Sequence, residues 1–289
     1  MAGEYVRVLR ALEVPVVAVG RSPERAAAFA AAHGIECRPG GVAALADGEL
    51  PERAIVATSH DQLAPVGAEL AGRGCRTLLL EKPGALFSAT LTQLALDVER
   101  AGATAFVGYN RRFYRSVTAA RRLIEADGGL LSASFDFTEI EARVLAERES
   151  GAATDATLAR WGAVNSLHVI DLFLHLAGRP ATWAPIRQGA LPWHPTGAVF
   201  AGSGVTDRDV TFAYLSTWSG AGRWGLELTT GARKLLLRPL EELALQERGS
   251  FSVEAVALEP QDGLKEGLLA QVEAFLRAAA GDGVDERLC

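Results

Sequence analysis

Cysteine is scarce in this chain: Cys37, Cys75 and Cys289 are the only three among 289 residues. They have neither the spacing of a metal site nor the density of a disulfide framework, which fits a reducing compartment. Asparagine, isoleucine and methionine are also rare, beside abundant alanine, arginine and glycine, a bias of codon usage rather than of function. An excess of basic charge is missing. Lys and Arg number 29 against 35 Asp and Glu, a net charge of −6, which argues against nucleic acid as a partner. No apolar run approaches the roughly 20 residues of a membrane-spanning helix. Met1-Ala-Gly-Glu4 does not open a secretory leader, so a cytoplasmic protein is expected. There is no metal-ligand cluster, internal repeat or low-complexity linker.

What is present is a globular composition, 49% hydrophobic and 22% charged, and a length for one large domain or two ordinary ones. The first part alternates short apolar strands with helices. Strands are expected at Val14–Val19, Ala54–Ala57, Thr77–Leu80 and Thr104–Val107. Helices are expected over 4–12, 23–33, 62–72 and 88–101. This short period predicts a parallel, doubly wound sheet. Beyond about residue 125 the pattern changes, which puts a domain boundary near 110–120. A helix near 113–126 leads to Leu131–Glu139, which alternates as a half-buried strand. A loop rich in Glu and Ala and a helix over Trp161–Leu176 follow, then long alternating stretches between 182 and 258 and an amphipathic helix near 264–280. These predict an open, mostly antiparallel sheet. The fold class expected is thus α/β plus α+β, with a Rossmann-type domain over 1–112 and a substrate-binding and oligomerisation domain over 113–289.

Arg76-Thr-Leu-Leu-Leu-Glu-Lys-Pro-Gly84 reads as a buried strand closing in a charged turn. Pro83 fixes its own φ and pushes Lys82 toward extended geometry. Ligands of open α/β sheets sit beyond the carboxyl ends of the strands, where Lys82 would stand. Taken alone, the segment is equally a surface Lys-Pro turn.

Three segments in order carry a resemblance: Glu81-Lys82-Pro83, Val107-Gly-Tyr-Asn-Arg-Arg-Phe113 and Asn165-Ser-Leu-His-Val-Ile-Asp-Leu172. Together they resemble the glucose–fructose oxidoreductase and inositol dehydrogenase (Gfo/Idh/MocA) family over nearly the whole chain. Ala201–Val205, Trp218–Trp224 and Arg238–Glu241 look most like its branch in surface-polysaccharide and sugar-modifying pathways. The resemblance implies a nicotinamide cofactor over the first sheet and a sugar, nucleotide sugar or cyclitol as substrate. It also implies a homodimer or higher homo-oligomer through the open sheet.

The N-terminus departs from that pattern. A Rossmann fold opens with a strand, then Gly-x-Gly-x-x-Gly, then a helix whose N-terminus holds the pyrophosphate. Here the strand and the first two glycines are absent, and Gly3 aligns with the last one. Losing a central strand leaves unpaired backbone groups, each costing about 1–3 kcal/mol if left dry. Either the natural chain starts upstream, or this member altered cofactor binding and closes the gap between the flanking strands. The place of the usual ribose-binding acid is taken by Gly20-Arg21-Ser22. A guanidinium and a hydroxyl there favour a 2′-phosphate, hence NADP over NAD.

The resemblance assigns Lys82 to the reacting oxygen, where a cation stabilises alkoxide charge, and His168 to the proton. It places Glu81, Thr58, His60 and Asn110 near the cofactor, and Tyr109, Arg111, Asn165 and Asp171 near the substrate. His168 and Asp171, three apart, share a helix face. The family aspartate four residues before the histidine is Val164 here, and Asn165 is the nearest polar substitute. Arg112 reads equally as a surface residue. Trp161, Trp218 and Trp224 suit core packing more than sugar stacking, and His33, His175 and His194 read as structural. The expected activity is NAD(P)-dependent hydride transfer at a hydroxyl or keto carbon. The alternatives are a cofactor-impaired binding or assembly subunit, and an epimerase or eliminase without net redox.

Overall fold

The computed structural model describes residues 1–260 and 263–289. The chain forms two compact units, Met1–Tyr109 with Asp262–Cys289, and Asn110–Gln261.

The first unit runs α1 (Ala2–Ala11), β1 (Ala18–Gly20), α2 (Pro23–His33), β2 (Cys37–Pro39), β3 (Arg53–Val56), α3 (Leu63–Gly72), β4 (Thr77–Glu81), α4 (Ser88–Arg100) and β5 (Thr104–Gly108). Local chemistry sets these limits. Ser22 caps α2 by accepting from the Arg25 amide, Pro23 occupies the first helical position, and Gly34 ends the helix at φ 60°, a conformation glycine adopts without a Cβ penalty. Every residue of β4 is buried, as a strand covered on both faces requires. Its Leu78 and Leu80 pack with Leu63, Leu70, Leu94 and Val98 of the flanking helices.

All pairings in this unit are parallel, but the strands form two sheets. β1 pairs with β2, and β3, β4 and β5 make the other. Among the described residues, β1 and β3 are not hydrogen-bonded to each other. The gap expected from the short N-terminus is therefore not closed by direct pairing of its flanking strands.

The second unit holds α5 (Arg115–Ala126), β6 (Leu130–Asp136), α6 (Glu141–Glu149), α7 (Asp155–Leu158), a π-helical turn (Gly162–Ser166), α8 (Leu167–Ala177), β7 (Pro180–Gln188), β8 (Val199–Thr206), β9 (Thr211–Thr217), β10 (Gly225–Thr230), β11 (Arg233–Leu237), β12 (Ala244–Glu247) and β13 (Glu254–Ala255). Its eight strands lie in the order β13-β12-β11-β10-β6-β9-β8-β7. The pairings are antiparallel except β6 with β9. Alternation sends Ala133, Phe135, Phe212, Leu226, Leu228 and Leu235 inward, against Val169, Leu172 and Phe173 of α8.

Three differences from the sequence reading have physical reasons. Helix α6 was expected as loop: of its residues only Val144 is buried, so no apolar stripe announces it. The helix expected from Trp161 begins instead with the π-helical turn. The last helix, α9 (Leu268–Ala280), was expected in the second domain but belongs to the first unit, with Leu268, Val272 and Phe275 buried. Among the described residues no helix is long and apolar enough to cross a membrane.

Candidate active site

In the first unit the candidate residues gather at the carboxyl ends of the parallel strands. β4 delivers Glu81 and Lys82, and the amide of Gly84 donates to the Glu81 carbonyl at 3.0 Å to close the turn. Glu81 is buried and accepts a 2.8 Å hydrogen bond from the Tyr5 hydroxyl of α1. Burial, and then the Glu81 charge, push the Tyr5 phenol well above its ordinary pKa. A Cβ on Gly108, at the end of β5, would stand 3.2 Å from the Tyr5 hydroxyl and 3.6 Å from Gln271 Oε1 of α9. Two helices thus close over the ends of β4 and β5, and the backbone of β5 comes so near them that position 108 has little room for a side chain.

His60 follows β3, the strand paired with β4. Burial lowers its imidazole pKa, and the charge of Lys82 lowers it further. His60 and Lys82 therefore feel each other across adjacent strand ends. Thr58 is exposed beside them. Arg21, at the end of β1, is exposed. Its charge contributes to holding Asp61 below the usual carboxylate range, after hydrogen bonds from Gln62 and Ser59. Ser22 is engaged twice, capping α2 and donating to Glu24 Oε2 at 2.9 Å. Gly3 lies inside α1, and a Cβ there would meet the His33 ring at 2.5 Å. The close approach at Gly3 is thus to a neighbouring side chain. Tyr109 is half-buried after β5.

The second unit supplies Asn110, Arg111, Asn165, His168 and Asp171. Asn110 is buried in the turn that follows β5. Arg112, read equally as a surface residue, is 11% exposed and grips Asp171, 8% exposed. Its Nε donates to Oδ2 at 2.8 Å and its Nη2 to Oδ1 at 2.6 Å. Both carboxylate oxygens of Asp171 are thereby engaged. Burial raises the pKa of Asp171 and Arg112 pulls it back.

Trp224, just before β10, is the centre of a second cluster. The Arg111 guanidinium lies 5.1 Å from its ring centroid, a cation–π distance. The His168 imidazole lies 5.8 Å from it. Trp224 is half-buried, whereas Trp161 and Trp218 belong to the core. His194 is buried, with Nδ1 2.9 Å from the Gly197 carbonyl oxygen.

The residue that sequence reasoning missed is Glu139. Its Oε1 accepts from Ser166 Oγ at 2.6 Å and its Oε2 from Asn165 Nδ2 at 2.9 Å. Val164 is 1% exposed in the core. Among the described residues no group of three or more His, Cys, Asp or Glu is placed to hold a metal ion. Lys82 and its neighbours belong to one unit and His168 and its neighbours to the other.

No protein-family model matches the chain, and no curated protein matches it by sequence. Solved structures do share its fold. An oxidoreductase from Agrobacterium radiobacter, solved with NAD+, L-tartaric acid and magnesium, matches at TM-score 0.81 and 16% identity over 99% of this chain and 87% of that one. UDP-N-acetylglucosamine 3-dehydrogenase GnnA from Acidithiobacillus ferrooxidans matches at 0.76 and 18% over 98% and 86%. Levoglucosan dehydrogenase with NADH and levoglucosan matches at 0.79 and 18% over 99% and 89%.

Proposed function

We propose that this chain is an NAD(P)-dependent oxidoreductase of Gfo/Idh/MocA type acting on a sugar, nucleotide sugar or cyclitol. The observation that carries the reading is Lys82, held at the carboxyl end of β4 within electrostatic reach of His60. It sits in a fold shared with two dehydrogenases named for a sugar derivative, UDP-N-acetylglucosamine 3-dehydrogenase and levoglucosan dehydrogenase.

In this reading a bound nicotinamide supplies the hydride acceptor or donor. The ammonium of Lys82 holds the reacting oxygen and stabilises its negative charge. His168 takes or returns the hydroxyl proton. Trp224 offers a ring face to the sugar, and Arg111 beside it attracts an anionic substituent. On the cofactor side, the exposed side chain of Arg21 fits a 2′-phosphate, so NADP is preferred over NAD. Ser22, Thr58, His60, Glu81 and Asn110 complete the cofactor contacts, and Tyr109 and Asn165 border the substrate. Gly3 is better explained by packing on His33 than by a phosphate cradle.

A second reading, a cofactor-impaired binding subunit, is favoured by one observation: the parallel strands form two sheets instead of one.

The deciding experiment titrates the protein with NADPH and NADH by protein-bound fluorescence, then screens sugars and cyclitols for turnover. Tighter binding of NADPH is expected. Equal affinities sink the NADP preference, and no binding by folded protein favours the second reading. The protein is also proposed to form a homo-oligomer through the outer sheet face. There Ile186, Ala201 and Leu215 stand opposite one another on three strands, with Ile186 61% and Leu215 62% exposed. A light-scattering mass of one 30.6 kDa chain refutes it.

A further inference from the structure

The inner face of β6 continues past the end of the strand. Ala133, Phe135 and Phe137 are buried at every second position, and the next residue in that register is Glu139, only 6% exposed. A carboxylate therefore stands where the pattern sends apolar side chains. Leaving it without partners there is costly. Its partners all converge from the neighbourhood of His168. Asn165 and Ser166 are the last residues of the π-helical turn, three and two positions before His168. Such turns are rare and often mark functional sites. The Trp224 indole also faces the same carboxyl and helps to hold its pKa down. Trp224 in turn stands against the His168 ring. Glu139 is thus joined to His168 twice, through the backbone of 165–168 and through Trp224. Val164, four residues before His168, is buried and apolar and supplies no acid.

We propose that Glu139 is the carboxyl partner of His168, a positioning residue that fixes the Asn165–Ser166 turn and Trp224 around the imidazole and replaces, from a different element, the acid that position 164 lacks. This role rests on the oxidoreductase reading above. The other charged groups around the pair within this unit are Arg111, stacked on Trp224, and the Arg112–Asp171 pair further along α8. Two donors on two oxygens is the arrangement of an ionised carboxylate, which favours the imidazolium form of a nearby histidine. Burial raises the pKa of Glu139 against the pull of its hydrogen bonds, so this support weakens in acid sooner than an exposed glutamate's would.

The test compares wild type, Glu139→Gln and Glu139→Asp in the full chain. Each is followed by imidazole NMR titration, with His168 assigned by His168→Asn, and by the pH profile of kcat. In Glu139→Gln the His168 midpoint is expected to fall by about half a pH unit. The kcat is expected to fall about tenfold with cofactor affinity unchanged. Glu139→Asp keeps the charge and should stay nearer wild type, which also covers the case in which the glutamine variant does not fold. An unmoved His168 midpoint in a folded variant overturns the proposal. The NMR reading needs neither cofactor nor turnover. A moved midpoint in a protein that binds no NAD(P)H therefore upholds the pairing while the oxidoreductase reading fails.

Discussion

Tyr5 donates its hydroxyl to Glu81 at 2.8 Å, tying the first helix to the residue that precedes Lys82. Both groups are buried, so the bond is shielded from water and the carboxylate depends on its donors. Tyr5→Phe removes one donor without changing shape. It should lower stability by about 1.5–3 kcal/mol, the range for hydrogen bonds to charged groups. Urea unfolding should show a lower midpoint at an unchanged slope. If Tyr5→Phe costs the same in a Glu81→Gln background, the two groups are not coupled.

Arg112 and Asp171 form the most enclosed ion pair of the candidate site. Removing one member of such a pair leaves the other charge buried, at a cost of about 3–5 kcal/mol. Arg112→Met should therefore destabilise far more than the double change Arg112→Met with Asp171→Leu, which leaves no orphaned charge. Thermal unfolding of the three proteins decides this. A single variant within about 1 kcal/mol of wild type would place the pair among surface bridges of little worth.

Much of this architecture was legible because period and punctuation agreed. Ser22, Pro23 and Gly34 mark α2 at both ends, and the apolar run from Thr77 marks β4. The shared fold class follows from that change of period from helical and short-strand alternation to long alternating stretches. The site was less legible. The chain holds two asparagines, Asn110 and Asn165, and both fall in segments singled out by motif. Glu139, in contrast, lies among Glu141, Glu147 and Glu149, and composition cannot separate a buried glutamate from exposed ones. The available signal was the spacing Ala133, Phe135, Phe137, Glu139, which carries the inner face three residues beyond the strand. Arg112 was ambiguous because nothing local says which of two adjacent arginines turns inward; its partner lies 59 positions away.

Gly3 offers a test of packing against cofactor approach. Its missing Cβ leaves room for the His33 ring, and that ring can swing aside. Gly3→Ala trades this contact for helix propensity, worth up to about 1 kcal/mol. The single variant is expected near wild-type stability. In a His33→Ala background the same change should stabilise by about 0.5–1 kcal/mol. NADPH affinity should be unchanged in both. A large loss of affinity in Gly3→Ala would return Gly3 to the cofactor site.

The charge of Lys82 can be read through its neighbour His60. Burial is the larger cause of that imidazole's lowered pKa and Lys82 the second. The fold thus favours neutral His60, and between the lowered folded value and the unfolded value of about 6.5 the unfolded chain binds the proton more readily. The stability contributed by this group is complete above about pH 6.5 and is lost as pH falls through the folded value. Lys82→Met removes the second cause and leaves the first. The His60 midpoint, followed by NMR, should rise toward about 6.5 without reaching it. The acid loss of stability should then begin at the same pH but be shallower, with no change in this contribution at pH values above the window. An unmoved midpoint would mean that the ammonium does not face His60, and with it would go the electrostatic argument for Lys82 as the group that meets the reacting oxygen.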